Sequence, residues 1–598
     1  MEKKMANLGE LPEWNLNDLY QGPDDPALSK AIAEASAKAE AFAKAHRGSL
    51  GAQAEAGKLL QTIGEYEDLA DLLGRIGAYA SLYYVGDTTD AARAKFYGDV
   101  TQKLTDISAQ LIFFELELNQ IDTAILEKAM GDQSLARFRP WFEDLRKEKP
   151  HQLDEKLELL FQEKSVTAWQ AWNRLFDDTI AALRFDVEGE SLAIEPTLNL
   201  LVDSDPAKRA KAGAALAKEF AANNRVFTLI INTLAKDKEI SDRWRKYPDV
   251  AASRHLGNRV ESEVVDALVA SVRAAYPKLS HRYYAMKAKW LGQEKLAYWD
   301  RNAPLPAEDQ APIQWDAARD MVLSAYGEFA PEMRVIAQRF FDEKWIDAPV
   351  RPGKAPGAFA HPTVPSAHPY VLLNYQGKIR DVMTLAHELG HGVHQVLAAD
   401  QGPILSNTPL TLAETASVFG EMLTFQKLLT ATTEPAKRKR LLASKVEDML
   451  NTVVRQIAFY CFERKFHEER KAGELTAQRL GEIWLEVQAE SLGPAIELSE
   501  GYENFWCYIP HFIHSPFYVY AYAFGDCLVN SLYARYREAG EGFQNKYFEM
   551  LKAGGSKHHK ALLAPFGLDA SDPSFWNMGL SVIEGFIDEI VELEAQGV

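Results

Sequence analysis

From Asp25 to about Leu126, apolar residues recur every three or four positions against a background of Ala, Leu, Glu and Lys, with turn signals at "HRGSLG" and "VGDTTD". That period predicts successive amphipathic helices. At "LRFDVEGESLAIEP" (183–196) the period drops to two: Phe185, Val187, Leu192 and Ile194 alternate about Glu188-Gly189, which predicts a hairpin. Helix resumes where Asp205, as cap, precedes Pro206 in the first turn. Hairpin and turn signals interrupt the helical run here, so the chain is expected to divide near residue 200, into a helical domain over 1–200 and a second domain over 201–598. No solenoid-type repeat is evident.

The segment "APVRPGKAPGAFAHPTVPSAHP" (348–369) is too rich in Pro and Gly for regular structure, yet it lies deep in the chain. Long internal loops of this kind are usually functional or disordered. It leads into "YVLLNYQG", Tyr370 to Gly377, an aromatic and β-branched run that reads as a strand, and then into a helix carrying "TLAHELGHGVHQ" (384–395). "DQGPILSNTPLT" breaks that helix, and Pro409 or Thr411 begins another, "LAETASVFGEMLTFQKLL".

Chemistry concentrates on this helix pair. At 3.6 residues per turn His387 and His391 share a face, so both imidazoles can reach one ion at about 2.0–2.1 Å. Glu388 sits beside the first histidine, near enough to take a proton from water at the ion without being a ligand. The blander alternative is an ordinary helix with two histidines facing core or solvent. Gly390 and Gly392 weigh against it: each costs about 1 kcal/mol relative to alanine. They are expected to allow close approach by another backbone or a bound chain, making room for an ion and a peptide.

A hydrolytic zinc site needs three protein ligands and one open position. The metzincin pattern is excluded, because His394 and Leu397 stand where that motif requires Gly and His. Glu414 is the expected third ligand; Ala413, Ala416 and Ser417 let its helix pack closely. Glu421, two turns on, is the expected acceptor for the other ring nitrogen of a ligand histidine. Without the upstream motif both would read as exposed helix glutamates. His394 points toward the same face as a pocket neighbour, not as a fourth ligand, which would close the open position.

"NFWCYIPHFIHSPFYVYAYAFG" (504–525) holds no Asp, Glu, Lys or Arg. Pro510, Pro516, His511 and His514 argue against a membrane span, so the segment reads as a charge-poor internal wall. Ser515 and Pro516 look like a cap and first turn, placing Tyr518 and Tyr522 on one helix face with His511 and His514 in the preceding loop. A phenol or imidazole there can donate to an oxyanion, although tyrosines at helical spacing are more often core. Cys507 near His511 offers a thiol–imidazole alternative.

Composition narrows the partners. The chain has 598 residues, net charge −19 and only three cysteines: Cys461, Cys507 and Cys527. The acidity, spread along the chain with no basic stripe, argues against nucleic acid as a partner. The odd, sparse cysteines suit a reducing compartment. "MEKKMANLGELPEWNLNDLY" lacks the apolar core of a secretory signal, so a cytoplasmic protein is expected.

The ordered set "LPEWNLNDLY", "HRYYAMKAKWLG", "KLAYWDRNAPL", "GKAPGAFA", "PYVLLNYQG", "TLAHELGH", "LAETAS" and "IPHFIHSPFYVYAYAFG" resembles the oligoendopeptidase F branch of the thimet-oligopeptidase-like zinc metallopeptidases. The resemblance covers most of the chain. It implies a mainly α, two-lobed helical metallopeptidase with a deep substrate channel and a small β-sheet beside the zinc helix, residues 201–598 forming the catalytic domain. It implies one zinc per chain on His387, His391 and Glu414, with Glu388 as general base. His511, Tyr518 and Tyr522 would contact substrate or oxyanion, and Gly357, Ala358, Phe359, His394, His514 and Tyr520 would line the peptide. The implied activity is cleavage of internal bonds in short peptides. The prolines, His361 and His368 of "GAFAHPTVPSAHPY" depart from the pattern expected of the family and bear on side-chain preference, and Val519 and Tyr520 depart from it within the aromatic motif and bear on which tyrosine contributes most. Two other readings stand beside this one: a carboxypeptidase on the same helix pair, and a non-catalytic peptide-binding protein. Nothing in the sequence speaks to oligomeric state.

Overall fold

The computed structural model describes residues 8–51, 54–305, 312–539 and 542–597. Residues 1–7, part of the segment read for a secretory signal, lie outside the described residues. The chain is mainly α-helical, with three small sheets among the described residues. It forms two compact units that interleave along the sequence: Met1–Lys149 with Ala311–Thr430 and Glu538–Gly567, and Pro150–Gln310 with Ala431–Arg537 and Leu568–Val598.

In the first unit the helices Pro26–His46, Ala56–Val85 and Ala91–Ala109 end and begin at the two turn signals. The first and third of these are capped by an aspartate: Asp25 accepts from the Ala27 N–H, and Asp90 from those of Ala92 and Arg93. A three-stranded sheet places Tyr370–Leu372 between Ile346–Asp347, parallel to it, and Phe359–His361, antiparallel. All three residues of the central strand are fully buried. The expected strand to Gly377 is shorter than read, but its bonding continues, with Leu373 N–H donating to Asp347 O and Tyr375 N–H to Ala348 O. The Pro/Gly-rich loop is pinned from beneath. Buried Lys354 donates to the Asp347 carboxylate (2.5 Å), Pro349 O (2.8 Å) and Leu373 O (2.6 Å), satisfying a charge that burial would otherwise expel.

In the second unit, Asp205 caps the helix Pro206–Arg245. The hairpin forms as Phe185–Val187 against Glu190–Leu192, and both turn residues adopt positive φ, Glu188 at 58° and Gly189 at 85°. Ile194 departs from the expected alternation and starts the helix Ile194–Asn199. The compact units do not follow the expected break near 200, because the hairpin packs onto the helix that follows it: the Phe185 and Phe220 rings meet edge to face at 5.8 Å. In the stretch 504–525 the short helical turn His511–His514 follows Pro510, and the long helix Tyr520–Glu538 begins only after Pro516. Among the described residues no helix is long and apolar enough to cross a membrane.

Candidate metal centre

The histidine-bearing helix, Ile379–Ala398, begins where Asp381 accepts from the Gln376 and Lys378 N–H groups. The glutamate-bearing helix, Leu410–Ala431, packs against it at backbone contact. A Cβ on Gly390 would lie 2.4 Å from Ala416 O and 2.6 Å from Ser417 Cα. A Cβ on Gly392 would lie 2.4 Å from Cζ of Phe340. The first glycine thus admits a neighbouring backbone, as expected, and the second admits an aromatic ring. The expectation that they clear space for an ion and a peptide is corrected: both are filled by the protein itself.

This contact brings the expected ligands together. His387 Nε2 is 3.3 Å and His391 Nε2 3.5 Å from Glu414 Oε2, and one donor atom from each residue falls within 4.8 Å of the others. Three ligands of a tetrahedral zinc ion at about 2.0–2.1 Å are about 3.4 Å apart, so the donor set fits that metal. Ser417 Oγ donates to Glu414 Oε2 at 2.6 Å, and His387 Nδ1 lies 3.3 Å from Glu421 Oε2. Glu414 and His387 are therefore each oriented by a further side chain, and the Ala413 backbone hydrogen-bonds the His391 ring. Tyr326 donates its hydroxyl to Ala386 O, immediately before His387.

Electrostatics put His391 and Glu414 in donor form, whereas His387 must give up a proton to bind a cation. Burial pushes His391 down to about 4, leaving a neutral imidazole with a free lone pair. Burial also opposes charge on His387, but its bonds to Glu414 and Glu421 outweigh that and hold a proton there when no cation is bound. Burial opposes ionisation of Glu414, and the two histidines and Ser417 overcome it, keeping the carboxylate charged. Glu388 is buried, which raises it to about 7; the Ala360 N–H donates to it.

Ala360 is the middle residue of the edge strand Phe359–His361, and its carbonyl accepts from Gln395 Nε2 at 3.3 Å. Gly357 is exposed at φ 79°, and Asn374 donates to its carbonyl at 2.9 Å; Ala358 and Phe359 are half-buried. His394 is buried, with Nε2 3.4 Å from Thr408 Oγ1, and burial lowers it to about 4. It stands outside the ligand set and helps line a cavity of about 460 Å³, together with His391, Gln395, Trp345, Pro362 and Thr408. His368 stacks on Trp345 at 3.9 Å and pairs with Asp18. His361 Nδ1 accepts from the Thr363 N–H.

The remaining expected residues belong to the other unit. His511 Nε2 is 3.2 Å from the Tyr522 hydroxyl, and the Tyr518 and Tyr522 rings are 5.2 Å apart. Both tyrosines are half-buried, whereas Val519 between them is buried. Burial lowers His511, favouring its neutral form. Three readings are corrected here. The helix begins at Tyr520 and not at Pro516, because Phe517 adopts φ 59°. His511–His514 is itself a helical turn. Tyr520, expected against substrate, is fully buried, its hydroxyl bonded to Asn258 (2.8 Å) and His255 (3.1 Å). His514 pairs with Asp177 at 2.8 Å. The thiol alternative fails on burial, which pushes Cys507 well above the ordinary thiol range and keeps it un-ionised.

Tyr326, Phe340, Ala360 and Gln395 escaped the sequence reading. None carries a local signal beyond its helical or strand period, since each acts through a partner more than a dozen residues away.

Residues 199–582 match the model of peptidase family M3, and residues 117–185 that of oligopeptidase F. The chain is 26% identical to oligopeptidase PepF of Bacillus subtilis over 620 residues, covering 99% of this chain and 90% of that one. A crystal structure from Chlamydophila abortus, assigned as a peptidase, superposes with a TM-score of 0.84 at 21% identity, covering 98% of this chain and 100% of that one. Oligoendopeptidase-F of Enterococcus faecium gives 0.72 at 22% identity, covering 95% and 99%.

Proposed function

Because the chain belongs to peptidase family M3 and is therefore a peptidase, we propose that it is a zinc-dependent endopeptidase that cuts internal bonds of short peptides. The observation that carries this reading is the convergence of His387, His391 and Glu414 at the donor spacing of a tetrahedral zinc shell, which leaves one position open. Zinc held there supplies positive charge that polarises a scissile carbonyl and eases deprotonation of a water.

The chain's own residues do the rest. Glu388 takes the water's proton and passes it to the leaving amine; its carboxylate is aimed by the Ala360 N–H. Glu421 fixes the ring of His387 through Nδ1. The edge strand Phe359–His361, with Gly357 and Ala358 leading into it, offers backbone groups for an extended peptide, since one side of the strand is free of sheet partners among the described residues. His511, Tyr518 and Tyr522 supply donors to the developing oxyanion. The three free cysteines suit a cytoplasmic setting.

A fluorogenic peptide blocked at both ends tests the reading. Cleavage, its loss on adding 1,10-phenanthroline and its return with zinc are expected. Release of single residues only from peptides with a free carboxyl end would make the chain a carboxypeptidase. Binding without cleavage would make it a peptide-binding protein.

A further inference from the structure

Phe517 is the most anomalous backbone position near the tyrosine cluster. A bulky aromatic with φ 59° is strained, and such strain persists only where the surroundings enforce it. Two long-range bonds do so here. The Phe517 N–H donates to Glu463 Oε1 at 2.8 Å, and Arg254 Nε donates to Pro516 O at 3.1 Å. Glu463 comes from the helix Val454–Ala472 and is fully buried, with no partner for Oε2 among the described residues. Arg254 comes from the helix Ala252–Gly257, and its guanidinium also lies 5.8 Å from the centre of the Tyr518 ring. The Phe517 ring is held on its other sides by His467 at 4.9 Å and Tyr460 at 6.0 Å, with the Lys238 ammonium 5.7 Å away.

A carboxyl group in the core whose one bond is to a strained backbone N–H costs stability and returns none through an ion pair. Its position explains what it does return. Held left-handed, Phe517 turns the chain between the His511–His514 turn and the helix from Tyr520, and Tyr518 follows directly on that turn. Were the helix to start at Pro516, as the cap signal directs, Tyr518 would sit inside it.

We propose that Glu463 and Arg254 are positioning residues: together they hold the Pro516–Phe517 peptide in its strained turn and thereby set Tyr518 and Tyr522 for the oxyanion. The inference rests on the role proposed above for those tyrosines. Neither residue touches substrate; each acts through the backbone. Burial raises Glu463 to about 8, consistent with a carboxyl that serves as an acceptor and not as a counter-ion.

The test uses full-length, zinc-loaded protein and the blocked peptide. Glu463→Leu removes the acceptor and should lower kcat at least tenfold, with KM within about twofold and zinc content unchanged. Glu463→Gln keeps an acceptor oxygen and should restore kcat to within about threefold of the parent. Arg254→Met, at a half-buried position, should lower kcat in the same way and decides the matter if Glu463→Leu does not fold. Parental kcat in Glu463→Leu or Arg254→Met overturns the inference, and so does equal impairment of Glu463→Leu and Glu463→Gln. Tyr518→Phe and Tyr522→Phe run alongside. If both keep parental turnover, the tyrosine assignment itself has failed. If they lose it while the Glu463 and Arg254 variants do not, only the positioning role falls.

Discussion

Replacing Gly390 by alanine perturbs the candidate centre without touching a ligand. The added methyl would meet Ala416 O at 2.4 Å and Ser417 Cα at 2.6 Å. Ordinary contact starts near 3.4 Å, so the two helices must part by about 1 Å. Both opposing atoms are backbone, and no side-chain rotation relieves the clash. Glu414 lies two and three residues from them on the same helix, so its carboxylate moves with them. Its distances to the two imidazoles, 3.3 and 3.5 Å, already match a zinc shell, which tolerates about 0.2 Å. Stability changes little: alanine gains about 1 kcal/mol in helix preference, against about 1–3 kcal/mol for overpacking. Function changes much more. Gly390→Ala should bind zinc at least tenfold more weakly in chelator competition and turn over the blocked peptide about 100-fold more slowly, while its melting temperature falls by only a few degrees. Parental zinc affinity and turnover in a folded Gly390→Ala protein would refute the claim that helix contact sets the ligand spacing.

Glu388→Gln should keep its zinc and lose about 10²–10⁴-fold in kcat; cleavage at the parental rate would remove Glu388 as base. Glu421→Gln should weaken zinc binding about 10–100-fold, read by competition with a chromophoric chelator; unchanged affinity would show that the Nδ1 contact does not matter. Glu463 predicts a pH dependence of stability. Its folded pKa, about 8, lies above the ordinary carboxyl value of 4.5, so its contribution is fully present below pH 4.5 and is lost as pH rises through 8. Urea unfolding should show the parent losing stability relative to Glu463→Gln at up to about 1.4 kcal/mol per pH unit across that window; parallel curves would contradict the buried acid.

The helix pair was legible because its signals are local. His387 and His391 announce one face by their spacing, and Ala413, Ala416 and Ser417 announce close packing. The hairpin showed itself through a change of period and Glu188-Gly189. What the sequence did not disclose depends on partners far along the chain. The purpose of Gly390 and Gly392 is decided by Ala416 and Phe340, so the glycines read as room for ligand. The false helix start at Pro516 has the same origin: a valid local cap signal is overridden at Phe517 by Glu463, 54 residues before it. A clue to Glu463 was present, since it shares a helix face with Tyr460 and His467 at core positions, where an acid is out of place. Interleaving of the two units left no trace in the local period, which records that a face is buried but not against what.

The central claim is that two imidazoles from one helix and a carboxylate from the next hold a single catalytic zinc. Anomalous diffraction at the zinc absorption edge from zinc-loaded crystals tests it most directly. The account predicts one strong peak per chain, about 2.0–2.2 Å from His387 Nε2, His391 Nε2 and a Glu414 oxygen. No peak between the two imidazoles, with Glu414 turned away from both, would contradict it.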